Sequence, residues 1–141
     1  MIALDSSVMV AALLRSDERH EKALRAVQRA LQSPAGVVIP VHAICETFSV
    51  ITRVPVPLRT DPPEALVALR DTFGAVRLVP LSARSLWPLL EHLADADLGG
   101  GLTYDAIILR SAEDAGASAL LTLNPRDYER LSPRIAILTP E

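Results

Sequence analysis

The chain has 141 residues, 50% of them hydrophobic and only 4% aromatic, which bounds it to one domain with a core of Ala, Val, Leu and Ile. Arg and Lys total 14 against 17 Asp and Glu, a net charge of −3, so the totals do not advertise a nucleic-acid binder and leave any such role to local patches. The single cysteine, Cys45, excludes an internal disulfide and a Cys-based zinc cage. No apolar run reaches a membrane span and no basic stretch opens an apolar one at the N-terminus, so the expected setting is soluble and cytoplasmic.

Met1 to Leu4 reads as a short buried strand ended by Asp5. Ser6 and Ser7 offer caps for a first helix over Val8–Leu14. Asp17-Glu18 opens a second helix running roughly to Gln32, with Ala23, Ala26, Val27, Ala30 and Leu31 at helical spacing. Ser33-Pro34-Ala35-Gly36 is a turn, and Val37 to Ile39 is a second strand. Pro40 suits the start of a helix from Val41 to about Arg53. On it, Ile44, Phe48 and Ile51 form an apolar stripe, whereas His42, Glu46, Ser49 and Arg53 share another face at i, i+4, i+7 and i+11. Cys45, beside Ile44 and near Phe48, is assigned to the core. Pro55, Pro57, Pro62 and Pro63 punctuate an irregular connection before a helix over Glu64–Phe73 and a strand over Val76–Val79. Ser82 caps a helix through about Ala96. Gly99-Gly100-Gly101 is a flexible loop, after which Thr103 caps a helix to about Ala115. Ala119–Leu121 is a buried strand, Asn124-Pro125 starts a short helix, and Ile135–Leu138 is the last strand. This alternation predicts a single α/β domain over the whole chain, with a central parallel sheet covered by helices on both faces.

Such a sheet gathers strand ends and helix starts along one edge, and Asp5, Glu46 and Asp105 stand at such places. Clustered acids either bind a hard cation through oxygen ligands or share a proton. Each acid also has a plainer reading. Asp5 can cap the first helix, Asp105 can complement a helix dipole, and Glu46 can be a solvated glutamate. Other chemistry is excluded more firmly. The triple glycine is not followed by Lys-Ser/Thr, no G-x-G-x-x-G follows a strand, and no serine sits in G-x-S-x-G. His20, His42 and His92 have no metal-ligand spacing, and the only lysine, Lys22, is too early for a receiver domain.

Four stretches, in order along the chain, resemble a PIN-domain ribonuclease of the VapC toxin type. They are Ile2-Ala3-Leu4-Asp5-Ser6-Ser7, Val41-His42-Ala43-Ile44-Cys45-Glu46, Leu102-Thr103-Tyr104-Asp105-Ala106, and Leu120 through Tyr128. The resemblance implies that Asp5, Glu46 and Asp105 are catalytic and bind Mg²⁺ or Mn²⁺, with Ser6 and Thr122 supporting them by hydrogen bonds. The family often carries a fourth acid where this chain has Asn124, and Asp127, one helical turn on, is the candidate for the missing carboxylate. Arg15, Arg53, Arg59 and Arg126 are candidates for holding an RNA backbone, with solvated surface arginines an equal reading for each. The resemblance also implies an RNA substrate, a cognate small antitoxin and a homodimer. Two further readings stand beside the toxin: a PIN nuclease of RNA processing that has no antitoxin, and a binding module that kept the fold and lost catalysis.

Overall fold

The apolar run Ile2–Leu4 forms strand β1 at the centre of a five-stranded sheet. The computed structural model describes residues 1–141. In chain order after β1 come α1 (Ser6–Leu13), α2 (His20–Gln32), β2 (Val37–Pro40), α3 (Val41–Arg53), α4 (Pro62–Phe73) and β3 (Arg77–Val79). Then follow α5 (Ala83–Asp95), α6 (Leu102–Asp114), β4 (Ala119–Leu121), α7 (Pro125–Glu129) and β5 (Ala136–Leu138). Every strand pairing is parallel, in the order β3-β2-β1-β4-β5.

The topology fixes where a site can form. From β1 the chain steps outward to β2 and β3, and later to β4 and β5 on the other side. Right-handed crossovers therefore carry the helices of the two halves to opposite faces. The connections leaving β1 and β4 diverge, which opens a crevice at the carboxyl ends of these two strands. Leu4 pairs with Leu121, so Asp5 and Thr122 are the first residues beyond the paired strands, and the Asp5 amide donates to the Leu121 carbonyl at 3.0 Å.

The burial follows the same order. Ala3, Leu4, Val38, Ile39 and Leu120 of the inner strands are fully buried. The edges are wetter, with Leu78 of β3 and Leu138 of β5 exposed. Tyr128, Phe73, Met9 and Ile108 are the bulky side chains filling the layers between helices and sheet.

Several boundaries differ from the sequence reading for local reasons. α1 starts at Ser6, so Ser6 and Ser7 lie inside it and Asp5 takes the N-cap position. α2 starts at His20 because Asp17 turns back on itself, accepting from the Arg19 amide at 2.8 Å and from its guanidinium at 3.2 Å. α4 gains Pro62 and Pro63, whose fixed φ suits a first turn. Thr103 is not a cap: α6 begins at Leu102, behind Gly100, which turns the chain at φ +58°, a conformation that glycine adopts without strain. Ser82 does cap α5, accepting from the Ser85 amide. Cys45 is exposed rather than in the core, because one residue beyond Ile44 on a helix is a rotation of about 100° off the apolar stripe.

The position of Leu120 at the sheet centre generates a stability prediction. Leu120→Ala should cost about 2–5 kcal/mol, while Leu138→Ala, at the exposed edge, should cost a small fraction of that. Urea unfolding of both variants checks it, and equal losses would contradict the centre-and-edge arrangement.

Candidate active site

Asp5 stands at the N-cap of α1, yet its side chain makes no cap bond. The residue is only 2% exposed, and a carboxylate buried that deeply is tolerated only if it is well bonded. Three hydroxyls meet this need. Tyr128 donates to Oδ1 at 2.6 Å, while Thr122 and Ser7 donate to Oδ2 at 2.8 and 2.6 Å. Short O–H···O⁻ bonds of this kind are stronger than neutral ones. The Ser7 and Thr122 oxygens lie 3.2 Å apart, but each hydroxyl has one hydrogen and both are directed to Asp5. Their oxygens accept in turn, Ser7 from the Leu123 amide and Thr122 from the Asn124 amide, both at 2.9 Å. The turn after β4 is thereby tied to the start of α1 through one carboxylate.

Glu46 projects from α3 toward this point. Ser6 donates to its Oε1 at 2.7 Å, and His42 Nε2 lies 3.4 Å from its Oε2. Asp105, in the first turn of α6, is half-buried near the same acids. Burial, followed by the charges of Asp5, Glu46 and Asp127, pushes its carboxyl up to about 7, partly opposed by the nearby Tyr128 hydroxyl. Burial and the neighbouring Asp5 charge hold the Tyr128 hydroxyl far above its ordinary range, so it remains a donor. One turn before Glu46 and one residue before Asp105, His42 and Tyr104 stack with ring centroids 5.2 Å apart and planes 2° from parallel.

A cleft of ≈ 940 Å³ is lined by Glu46 and Asp105, whereas Asp5, buried under its hydroxyls, is not among its lining residues. The polar face of α3 lines it with His42, Glu46, Ser49 and Arg53, and α6 contributes Tyr104 and Asp105. Asn124 and Asp127 complete it; the Asn124 side chain stands at the N-cap of α7 without capping it. Of the arginines singled out from sequence, Arg53 lines this cleft. Arg126 lies beside it in a smaller cleft shared with Asn124 and Asp127. Arg15 is exposed in the turn between α1 and α2, and the Arg59 Nε donates to the Val54 carbonyl. Neither is among the cleft residues.

The donor chemistry fits a hard divalent cation: carboxylate and amide oxygens, with negative charge in excess. The spacing is looser than the sequence reading expected, since no three His, Cys, Asp or Glu side chains stand close enough together to hold one ion. Asp5 is held by its three hydroxyls, and Glu46 by Ser6 and His42. Sequence reasoning assigned Thr122 and Ser6 supporting roles, and the structure puts Thr122 on Asp5 and Ser6 on Glu46. It missed Ser7 and Tyr128. The available signal for Tyr128 was its position one turn after Asn124, on the same face of a short helix.

Comparison with known proteins follows from this geometry. The PIN domain family model matches residues 2–132. The chain is 42% identical to ribonuclease VapC40 of Mycobacterium tuberculosis, over 99% of this chain and 100% of that protein. It is 31% identical to ribonuclease VapC27 of the same organism, over 96% of each. Among solved structures it is similar to M. tuberculosis VapC20, described as a sarcin–ricin loop cleaving toxin, with TM-score 0.73, 20% identity and coverage of 92% and 94%. It is also similar to DNA-bound VapBC from Salmonella typhimurium, with TM-score 0.72, 18% identity and coverage of 98% and 96%.

The raised Asp105 carboxyl predicts how the metal-free protein responds to pH. Its folded value of about 7 exceeds the ordinary 3.8, so the folded state keeps a proton that the unfolded chain releases. Its contribution is therefore fully present in acid and is lost as pH rises toward about 7. With chelator present, wild type should lose melting temperature between about pH 4 and pH 7 relative to Asp105→Asn. Asp105→Asn should be the more stable of the two at the alkaline end. Parallel melting curves for the two proteins across that range would contradict the crowding of acids around Asp105.

Proposed function

The chain belongs to the PIN-domain family, with VapC ribonucleases among its relatives, and on that premise we propose that it is a Mg²⁺-dependent endoribonuclease, a toxin restrained by a small antitoxin. The observation that carries this reading is Asp5, a buried carboxylate held by three hydroxyls at the sheet's switch point, beside an open cleft lined by Glu46 and Asp105.

Asp5, Glu46 and Asp105 would hold the cation, with Asn124 and Asp127 beside them. When bound, Mg²⁺ or Mn²⁺ acidifies an attacking water and offsets charge on the phosphate. The chain's own groups do the rest. The hydroxyls of Tyr128, Thr122 and Ser7 hold Asp5 in one orientation, which removes reorganisation from the reaction. Ser6 and His42 orient Glu46 between them. Asp105, its carboxyl raised to about 7 among like charges, would hold the cation through its carboxylate once deprotonated. Arg53, across the cleft, suits an RNA phosphate by its forked donors. In-line hydrolysis would leave a 5′-phosphate and a 3′-hydroxyl. The partner in restraint would be an amphipathic antitoxin helix, with a basic residue that competes for the carboxylates. A homodimer belongs to the same reading, and apolar side chains such as Trp87 and Val67 stand exposed on α5 and α4.

A second reading, an inert module of the same fold, is favoured by Asn124 alone, an amide where the family often has an acid. Asp5→Asn decides between them: it should lower RNA cleavage by on the order of 100-fold or more with the fold retained by circular dichroism. Undiminished cleavage would remove Asp5 from the chemistry, and a wild type that cleaves no RNA would favour the inert module. Asn124→Asp should tighten Mg²⁺ binding in calorimetric titration, and Asn124→Ala should be milder than Asp5→Asn. Expression of the chain alone should arrest growth, and co-expression of an adjacent small reading frame should relieve it; harmless expression of folded wild type counts against the toxin.

A further inference from the structure

We propose that the His42–Tyr104 stack is a nucleobase platform, on which one unpaired base of the RNA stacks beside the scissile phosphate. The proposal rests on the ribonuclease reading and deepens it.

Tyr104 is 54% exposed, whereas Tyr128 and Phe73 are buried; Trp87 is exposed too, but it stands on α5 and is not among the cleft residues. Tyr104 is not merely left on the surface. One face of its ring lies parallel to His42, at 5.2 Å between centroids and 2° between planes, and both residues line the acidic cleft. His42 is itself fixed from the other end, with Nε2 3.4 Å from Glu46. A ring braced in this way has already lost its rotamer freedom, so a base stacking on it does not have to order it. The brace joins two helices, α3 and α6, and each carries one ring next to one acid: His42 a turn before Glu46, Tyr104 a residue before Asp105. The platform and the carboxylates therefore move as one body, and a base on Tyr104 sets the register of its own phosphate against the acids.

Stacking on an aromatic face is how single-stranded nucleic acid is held without reading a base's hydrogen-bonding edge. A phosphate contact at this position would want a cation, and Arg53 is the only arginine or lysine lining the cleft. An exposed tyrosine ring offers a flat apolar face instead. The expected preference is for an unpaired base, since a base within a duplex has both faces covered.

The test uses full-length protein with chelated metal, so that the RNA is bound and not cut. The probe is a short single-stranded RNA with a fluorescein at its end and one fluorescent adenine analogue, moved position by position. Anisotropy reports binding, and quenching of the analogue reports stacking. Wild type and Tyr104→Phe should quench the analogue at one position. Tyr104→Ala should not quench there, and should bind roughly 5- to 150-fold more weakly, the loss expected for one base–aromatic stack. An abasic nucleotide at that position should weaken wild type by a similar factor and leave Tyr104→Ala unchanged. The wild-type half of this arm needs no altered protein and stands even where Tyr104→Ala folds poorly: undiminished binding of every abasic RNA overturns the platform. Equal binding of wild type and Tyr104→Ala, or equal sensitivity of both to the abasic site, overturns the platform while leaving the ribonuclease reading intact. No binding of RNA by wild type at any position overturns both.

Discussion

A buried carboxylate with three hydroxyls on it is the constraint around which this molecule is arranged. Asp5 joins the end of β1 to Ser7 of α1, to Thr122 at the end of β4 and to Tyr128 of α7, across sequence separations of up to 123 residues. No buried side-chain nitrogen or oxygen is left without a partner, so the charge is accommodated fully where it sits. The consequence is positional. A carboxyl group that would be costly to bury alone is fully hydrogen-bonded, in one orientation, at the crevice where the two halves of the sheet part.

The neighbouring acids are treated differently, and the difference carries the chemistry. Glu46 is partly exposed and has Ser6 and His42 as partners. Asp105 is half-buried among like charges, and its carboxyl is raised toward neutrality. An arrangement that stores repulsion in the metal-free state destabilises the fold locally and favours any ligand that brings positive charge.

Much of this was legible in the chain, and the limits have physical causes. Short apolar runs and period-3.6 patterning placed every strand and helix to within a few residues, since burial against the sheet dictates both. The polar face of α3 carrying His42, Glu46, Ser49 and Arg53 was readable from spacing alone, and the structure turns that face into the cleft. Helix starts were less legible. Ser6, Ser7 and Thr103 have good capping chemistry, but tertiary partners or backbone geometry use them otherwise. Cys45 was misplaced because apolar neighbours in sequence are not neighbours on a helix face. The His42–Tyr104 stack had no local signature, since each ring depends on a partner far along the chain, and Tyr128 offered only its place one turn after Asn124.

Asp5, Glu46 and Asp105 as holders of one divalent cation can be observed directly by anomalous diffraction from crystals grown with Mn²⁺. A single strong peak is expected within coordinating distance of Asp5 and Asp105, with Glu46 turned toward it and the Tyr128 and Thr122 hydroxyls still on Asp5. No peak at saturating Mn²⁺, or a peak only at the other acidic pair, Glu113 and Asp114 beside Arg134, would contradict it.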